Sequence, residues 1–584
     1  MFLFKCGRNA MKSLKFCVSM LAGSAPTVPA FAGQAAILVS VDGKKLDLEV
    51  PPVIQGDRVM VSVRKLAESL RAQVDWDPAT ETATIVCGSR VVKLVNGSNV
   101  ALLSGEPVRL DVPVRVEENR LLAPLRFLAE SLGATVAWSN IEQKARIISA
   151  PPEGPERVCH ASFPARVALT NNGHLWIVNG AGAGSAPVQI TNEGIAEIVG
   201  WSPDGWWLMY LHRDAPDLWS TPPYLWVVKA DGTGACQVDR RPVTGTPAWS
   251  PLEDAIAYGT QAPDQKNATD GNLKLAVLDD GDSGTTGEAM ITVLLPDESD
   301  VADFAWVPDG QSIAVSLPRN KECPLLINRI DLKGKSVNLL THGEPNATEE
   351  YFYTRSATGL QWSPDGRYLA YYLEPSSGSM AADGVSIQVL DLQQSGQPLD
   401  LGSGLGYARW LAWSPDSTRL AYIVGCGRDA TVNKRLYLAD LQSGGKITDC
   451  GSAGQVDTQP VWSSNKPYSL LFNRGKEGGT WTGGDNFPDV LVPGQRIWLR
   501  ADGGEVKSLT SGPADTADYA PKLSPNGETL AYLRLNRYDS GSLCLKPLTG
   551  GQDLELISGL TGDHGFYGNY YPEWLSIYWE RDPD

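Results

Sequence analysis

The 584-residue chain is short of positive charge, with 50 Lys and Arg against 67 Asp and Glu and a formal net charge of −17. It carries no global cationic field to attract nucleic acid or an anionic membrane face, so neither partner is expected. Past the N-terminal segment, no apolar run approaches the roughly 18 to 20 residues that a membrane-spanning helix needs, and no integral membrane segment is expected in the mature chain. Histidine is scarce: the five present (His160, His174, His212, His342 and His564) are scattered singly. The nine cysteines include no C-x-x-C pair, which leaves zinc and dithiol redox roles weak.

What the chain does have is turn-forming residues. Its 59 glycines and 40 prolines exceed average usage and favour a turn-dense, β-rich architecture over long helices. The length alone suggests several domains.

Residues 1–32 read as an export signal and are set aside from the fold. Lys12 and Lys15 follow a second Met at position 11, an apolar stretch runs from Phe16 to Ala25, and Ala30-Phe31-Ala32 offers a small-x-small cleavage pattern. A lipid anchor through Cys17 is disfavoured, because Lys15 and Phe16 precede it where small or apolar residues would be needed. The mature chain is expected to begin near Gly33, to be more acidic than the precursor, and to act outside the cytoplasm, secreted or at the cell envelope. Cleavage leaves Cys87, Cys159, Cys236, Cys323, Cys426, Cys450 and Cys544, an odd set that cannot pair completely. Most are expected to be small buried residues. Cys426 with Cys450 is the best disulfide candidate, each lying near a strand end of one repeat.

Residues 37 to 148 repeat themselves at an offset of 62. RVMVSVRKLAESLRAQVDW, beginning at Arg58, matches the segment around Arg120, NRLLAPLRFLAESLGATVAW. Each copy predicts an apolar strand, a short helix and a strand bearing Trp76 or Trp138. The helices place Arg64 with Glu68 and Arg126 with Glu130 at the i,i+4 spacing of opposite charges. Leu66, Leu70, Phe127, Leu128 and Leu132 would bury each helix against the sheet. The doubled R-x5-R-x2-AESL-x-A-x-V-x-W pattern, with Val50-Pro51-Pro52 or Val112-Pro113 ahead of it, resembles the copper amine oxidase N-terminal-like domain of exported bacterial proteins. That resemblance implies a surface or stalk-like module at residues 33–148. An oxidase would need three copper-binding histidines and a modifiable tyrosine, and the scattered histidines do not offer them.

Residues 149–159, rich in Pro and Glu, read as a semi-rigid linker. A second repeat follows: WSPDG at Trp201, WSPLE at Trp249, WVPDG at Trp306, WSPDG at Trp362, WSPDS at Trp413, WSSNK at Trp462 and LSPNG at Leu523. The spacings of 48, 57, 56, 51, 49 and 61 residues, with about four short strands per unit, are those of propeller blades. In each motif Pro presets φ, Asp bonds the backbone ahead and Gly accepts a positive φ. These units resemble the PD40 or TolB-like β-propeller repeat, a relative of WD40, over residues 160–584. The turn residues are lost at Pro251-Leu252-Glu253 and Ser464-Asn465-Lys466. Strands around His174 to Thr191 lack a preceding motif, and the C-terminal YYPEWLSIYW has nothing after it. Together they would complete one more blade, giving eight, with seven as the alternative.

The expected fold is mainly β: a large propeller preceded by a small duplicated α+β domain. No G-x-S-x-G nucleophile elbow is present for a hydrolase domain. Gly281-Asp282-Ser283-Gly284 lies in an acidic turn, and Asp279, Asp280 and Asp282 miss the EF-hand spacing for Ca²⁺. The repeated Asp204, Asp309, Asp365 and Asp416 are assigned to turns. No catalytic, cofactor-binding or metal-binding residue is assigned, no cofactor is expected, and the ligand-binding residues stay unknown. The glycine-rich excursion from Arg474 to Gly494 is the longest loop in which a propeller could carry function. The expected function is non-catalytic binding of a protein or cell-wall polymer. The competing class is a propeller enzyme, a glycan hydrolase or lyase with its site in the central channel.

Overall fold

The computed structural model describes residues 37–580 except 42–43, 71, 88–89, 140–142, 150–153, 160–161, 182–184, 215–220, 262–270, 279–288, 395, 479–491, 538 and 563–573. The expected export signal at 1–32, His160, His564 and residues 279–288, read above as an acidic turn, lie outside the described residues. The chain divides into two units, Met1–Ile147 and Ile148–Asp584.

In the first unit, the two copies are interleaved. Arg58–Ser62 of one copy pairs antiparallel with Arg120–Pro124 of the other, and Val53–Gln55 and Arg115–Glu117 flank them. Leu38–Val41 runs parallel to Lys144–Ile148 of the second copy, whereas Val100–Leu103, its counterpart, joins a five-stranded sheet with Gln73–Asp77 and Thr82–Cys87 of the first. Each copy thus lends its leading strand to the other. Helices α1 (Val63–Ser69) and α2 (Leu125–Ser131) bury Leu66, Ala67, Leu128 and Ala129 in the core they share. Val50 and Val112 of the V-x-P elements cover the opposite face of the central sheet with Met60 and Leu122. The symmetry extends to charge: Arg58 binds Asp111 at 2.8 Å, and Arg120 binds Glu49 at 2.6 Å. The i,i+4 pairs also form, Arg64–Glu68 at 3.6 Å and Arg126–Glu130 at 3.1 Å.

The second unit is an eight-bladed β-propeller, each blade an antiparallel sheet. Blades 2 to 7 are sequential four-stranded meanders whose innermost strands are Ile195–Trp201, Val243–Trp249, Asp303–Trp306, Thr354–Trp362, Leu411–Trp413 and Gln455–Trp462. Blade 8 begins at Ala517–Leu523. Blade 1 takes its three outer strands from Ala165–Asn171, His174–Asn179 and Val188–Gln189 and its innermost strand from the C-terminal Leu575–Trp579. The first and last strands of this blade sequence, far apart in the chain, therefore meet in one sheet. One expectation needs correction: the stretch 149–159 is not all linker. Glu156–Arg157 adds a fifth strand to blade 8 beside Leu554–Thr561, because Arg157 is anchored by donating to Cys159 O and Ser185 O.

The core is a circle of apolar layers between adjacent blades, such as Met209, Val227, Ile256 and Tyr258 between blades 2 and 3. The motif tryptophans cross these layers. The indole N–H of Trp201, Trp249, Trp306, Trp413 and Trp462 donates to Ser576 O, Gly200 O, Ala248 O, Gln361 O and Ala412 O, each in the preceding blade, at 3.0 to 3.3 Å. Blade 8 has Leu523 in that place, and there the departed turn of blade 7 substitutes: Ser464 and Asn465 both donate to Pro525 O.

Candidate functional site

Antiparallel strands running from the axis outward give the propeller two faces. One carries the motif turns between first and second strands; the other carries the second-to-third hairpin loops and the crossovers between blades. The motif face is internally satisfied. In WSPDG at Trp201, Ser202 donates to Asp204, which accepts from the Trp206 N–H, while Ser202 Oγ accepts from the Trp207 N–H. Ser363 with Asp365 and Ser414 with Asp416 repeat the pattern, and Asp309 accepts from the Gln311 N–H. These carboxylates hold turns.

The crossover face is built differently. Its innermost strands start with acids paired to an arginine one strand out: Glu197 with Arg213 at 2.9 Å, Asp457 with Arg474 at 2.6 Å, and Asp518 with Arg534 at 2.7 Å. Asp457 and Asp518 are fully buried. Burial pushes the Asp457 carboxyl above its ordinary range despite the Arg474 hydrogen bonds. Burial also opposes charge at Asp553, but hydrogen bonds from Lys546 and Tyr532 hold its carboxyl below the ordinary range. Arg534 reaches both Asp518 and Asp553, chaining these groups across blade 8.

Over blades 4 to 7 the loops of this face form a tied ridge. Asn346 N–H donates to Asn320 O, and Ser376 N–H to Tyr353 O. In the loop after blade 5's second strand, α3 (Gly378–Asp383) is bound by Arg428 of blade 6 through Asp383 at 2.7 Å and Ser379 Oγ at 2.8 Å. Asn433 N–H donates to Glu477 at the start of the long excursion of blade 7. Within this ridge, the ammonium of Lys434 is fully buried and donates to Cys426 O, Gly427 O, Val432 O and Asn433 Oδ1 at 2.9 to 3.2 Å. Burial pushes its pKa down to about 8. Tyr351 and Phe352 project from the ridge, 82% and 59% exposed, with rings edge to face at 4.6 Å. Beside them lie the pairs Lys321–Glu349 and Arg319–Glu350.

The innermost strands bulge in blades 2, 3, 5, 7 and 8, which turns backbone N–H groups sideways. Side chains of the preceding blade receive them: Asp303 accepts from the Leu360 N–H at 3.2 Å, and Gln459 Oε1 from the Ala520 N–H at 3.0 Å. Burial pushes the Asp303 carboxyl up to about 6.

The remaining sequence candidates fall as follows. His174, His212 and His342 lie in blades 1, 2 and 4, and among the described residues no group of three or more His, Cys, Asp or Glu could hold a metal. No helix among them is long and apolar enough to cross a membrane. The Cys426–Cys450 disulfide is not formed: both cysteines are free thiols. Cys426 Sγ packs toward Gly384 of blade 5, whereas the Cys450 thiol turns to Thr448 O at 3.8 Å. Only Cys544 is buried, contrary to the expectation for most of them. Of the Arg474–Gly494 excursion, 479–491 lies outside the described residues. Sequence reasoning missed the ridge, Asp303 and Lys434. The acid–arginine pairs did leave a trace, Asp457 with Arg474 and Asp518 with Arg534 at nearly equal separations in successive repeats.

Residues 40–147 match the copper amine oxidase N-terminal domain family. No curated protein matches the chain. Similar solved structures include a putative TolB from Agrobacterium tumefaciens, 20% identical over 46% of this chain and 87% of its own, with a TM-score of 0.27. TolB from Acinetobacter baumannii is 14% identical over 66% and 82%, with a TM-score of 0.30. An oligogalacturonate lyase in complex with manganese is 12% identical over 68% and 85%, with a TM-score of 0.36. The structural neighbours are thus TolB and other β-propeller proteins, enzymes among them.

Proposed function

We propose that this chain is an exported, non-catalytic binding or scaffold protein of the bacterial cell envelope, whose propeller engages a protein or a cell-wall polymer. The supporting observation is the ridge on the crossover face. Its loops are fixed to one another by hydrogen bonds and ion pairs, yet it presents two bare aromatic rings within a rim of paired charges. Aromatic anchors ringed by polar groups are the usual anatomy of a binding hot spot, and a fixed loop loses little entropy on binding. The test uses the mature chain as bait for envelope extract, beside the double variant Tyr351→Ala/Phe352→Ala. A partner retained by the native chain and lost by the variant supports the reading, and equal retention by both overturns it. Export is tested separately by N-terminal sequencing of protein recovered outside the cytoplasm, with Gly33 expected near the start and retained Met11 contradicting it.

A second reading is a glycan hydrolase or lyase working in the channel, in which Asp303, the first residue of blade 4's innermost strand with its carboxyl pushed up by burial, would serve as a general acid. Turnover of a glycan that Asp303→Asn abolishes would establish it.

A further inference from the structure

On the crossover face of blade 3, a cleft of about 330 Å³ is lined by Arg241, Asn272, Lys274, Val293, Pro296 and Asp297. The volume is at the lower end of the range usual for small-ligand sites. Asn272 and Lys274, 2% and 7% exposed, come from the third strand (Leu273–Val277) and the residue before it. Val293 stands opposite Lys274 on the outermost strand.

The charges in this cleft cancel in pairs. Lys274 Nζ donates to Asp239 at 2.7 Å, and Arg241 holds both oxygens of Asp297 at 3.0 and 3.3 Å and also donates to Gln261 O. Asn272 donates to Asp297 at 2.6 Å and accepts from the Thr260 N–H and hydroxyl. Asp239 accepts from the Arg241 N–H, Tyr258 and Lys274. Each carboxylate thus already has three donors, and more donors remain beside them: Lys274 spends one of its three N–H groups on Asp239, and Asn272 one of its two on Asp297. An almost fully buried ammonium with spare donors calls for an acceptor. Because the fixed charges already neutralise one another, an uncharged acceptor fits better than an anion.

We infer that this cleft is a subsite for a neutral saccharide unit, whose hydroxyl or acetamido oxygens accept from Lys274 and Asn272 while its C–H face lies on Val293 and Pro296. This rests on the reading of the propeller as a binding module and names a sugar polymer as the partner class. The probes are cellobiose and N,N′-diacetylchitobiose, with digalacturonate as the anionic control, titrated into the mature chain by calorimetry and saturation-transfer NMR. Val293→Trp fills the mouth without touching an ion pair, and Val293 is 57% exposed on an edge strand, so the variant should melt as the native chain does. Expected is binding of a neutral disaccharide that Val293→Trp weakens at least about tenfold and that salt leaves unchanged, since screening acts on charged ligands. Absence of binding by both neutral probes overturns the inference. So does binding indifferent to Val293→Trp, or salt-sensitive binding of digalacturonate alone. Sugar binding by the native chain, together with envelope capture that is equal with and without Tyr351→Ala/Phe352→Ala or absent from both, would reject the ridge and leave the cleft standing.

Discussion

Two ionisable groups set the residue scale, the half-buried Asp303 and the fully buried Lys434. Asp303 has a folded pKa of about 6 against an ordinary 3.8, so the folded chain holds its proton more tightly than the unfolded chain. Its contribution is fully present below about pH 4 and is lost as pH rises through about 6, a cost of about 3 kcal/mol at neutral pH. Asp303→Asn has no charge to desolvate, but its single oxygen can serve only one of the Leu360 and Phe304 N–H groups, which donate to different oxygens of the carboxylate. The melting temperature of the variant relative to the native chain should therefore rise between pH 4 and pH 7.5; a difference that does not change with pH would refute the account. Lys434 works in the opposite sense. It is the shared donor for four oxygens of one loop, and Lys434→Met leaves them without it at about 1 to 3 kcal/mol for each group that water cannot reach. Hydrogen exchange should quicken in 425–434 and, through Arg428, in α3. Exchange unchanged in α3 would show that the ridge loops are not coupled.

At the element scale, five of the six motif tryptophans are latches as well as apolar plugs. Trp413 Nε1 donates to Gln361 O at 3.3 Å, whereas Trp362 Nε1 is buried with no partner among the described residues. Replacement by Phe removes similar bulk at both sites but a hydrogen bond at only one, so Trp413→Phe should cost about 0.5 to 1.5 kcal/mol more than Trp362→Phe in denaturant unfolding. Equal costs would reduce the indole N–H to a bystander. This element was legible in sequence because a blade is a local unit: strand, turn and strand lie within about 50 residues, and W-S-P-D-G marks the turn. The 62-residue duplication was equally plain, as were its i,i+4 pairs. The exchange of leading strands between copies was not, since Leu38–Val41 carries no sign of which partner strand it will choose. Nor were Lys434, Asp303 or the blade 3 cleft, whose members come from different strands and crossovers and meet only when blades pack. The cysteine pairing failed for the same reason, nearness in sequence being a poor guide to where Cys426 and Cys450 turn.

At the scale of the whole molecule, the propeller is closed by its own tail. Leu575–Trp579 pairs with Ala165–Leu169 over five positions, seats Trp201 through Ser576 O, and places Tyr578 beside Arg166. Removing it takes the innermost strand from blade 1, exposes the edge of Ala165–Asn171, and unseats the layer in which Leu575 packs with Leu169 and Phe163. An open edge is both a loss of pairing and an invitation to pair with another chain. Deletion of residues 570–584 should therefore lower the melting temperature of the entire propeller, out of proportion to the length removed, and shift the chain toward dimers or larger species in light scattering. Deletion of 581–584 alone, which leaves the strand in place, is the control and should change neither. A truncated chain that stays monomeric and melts with the native one would mean that the circle is held by its seven intact blades without the tail.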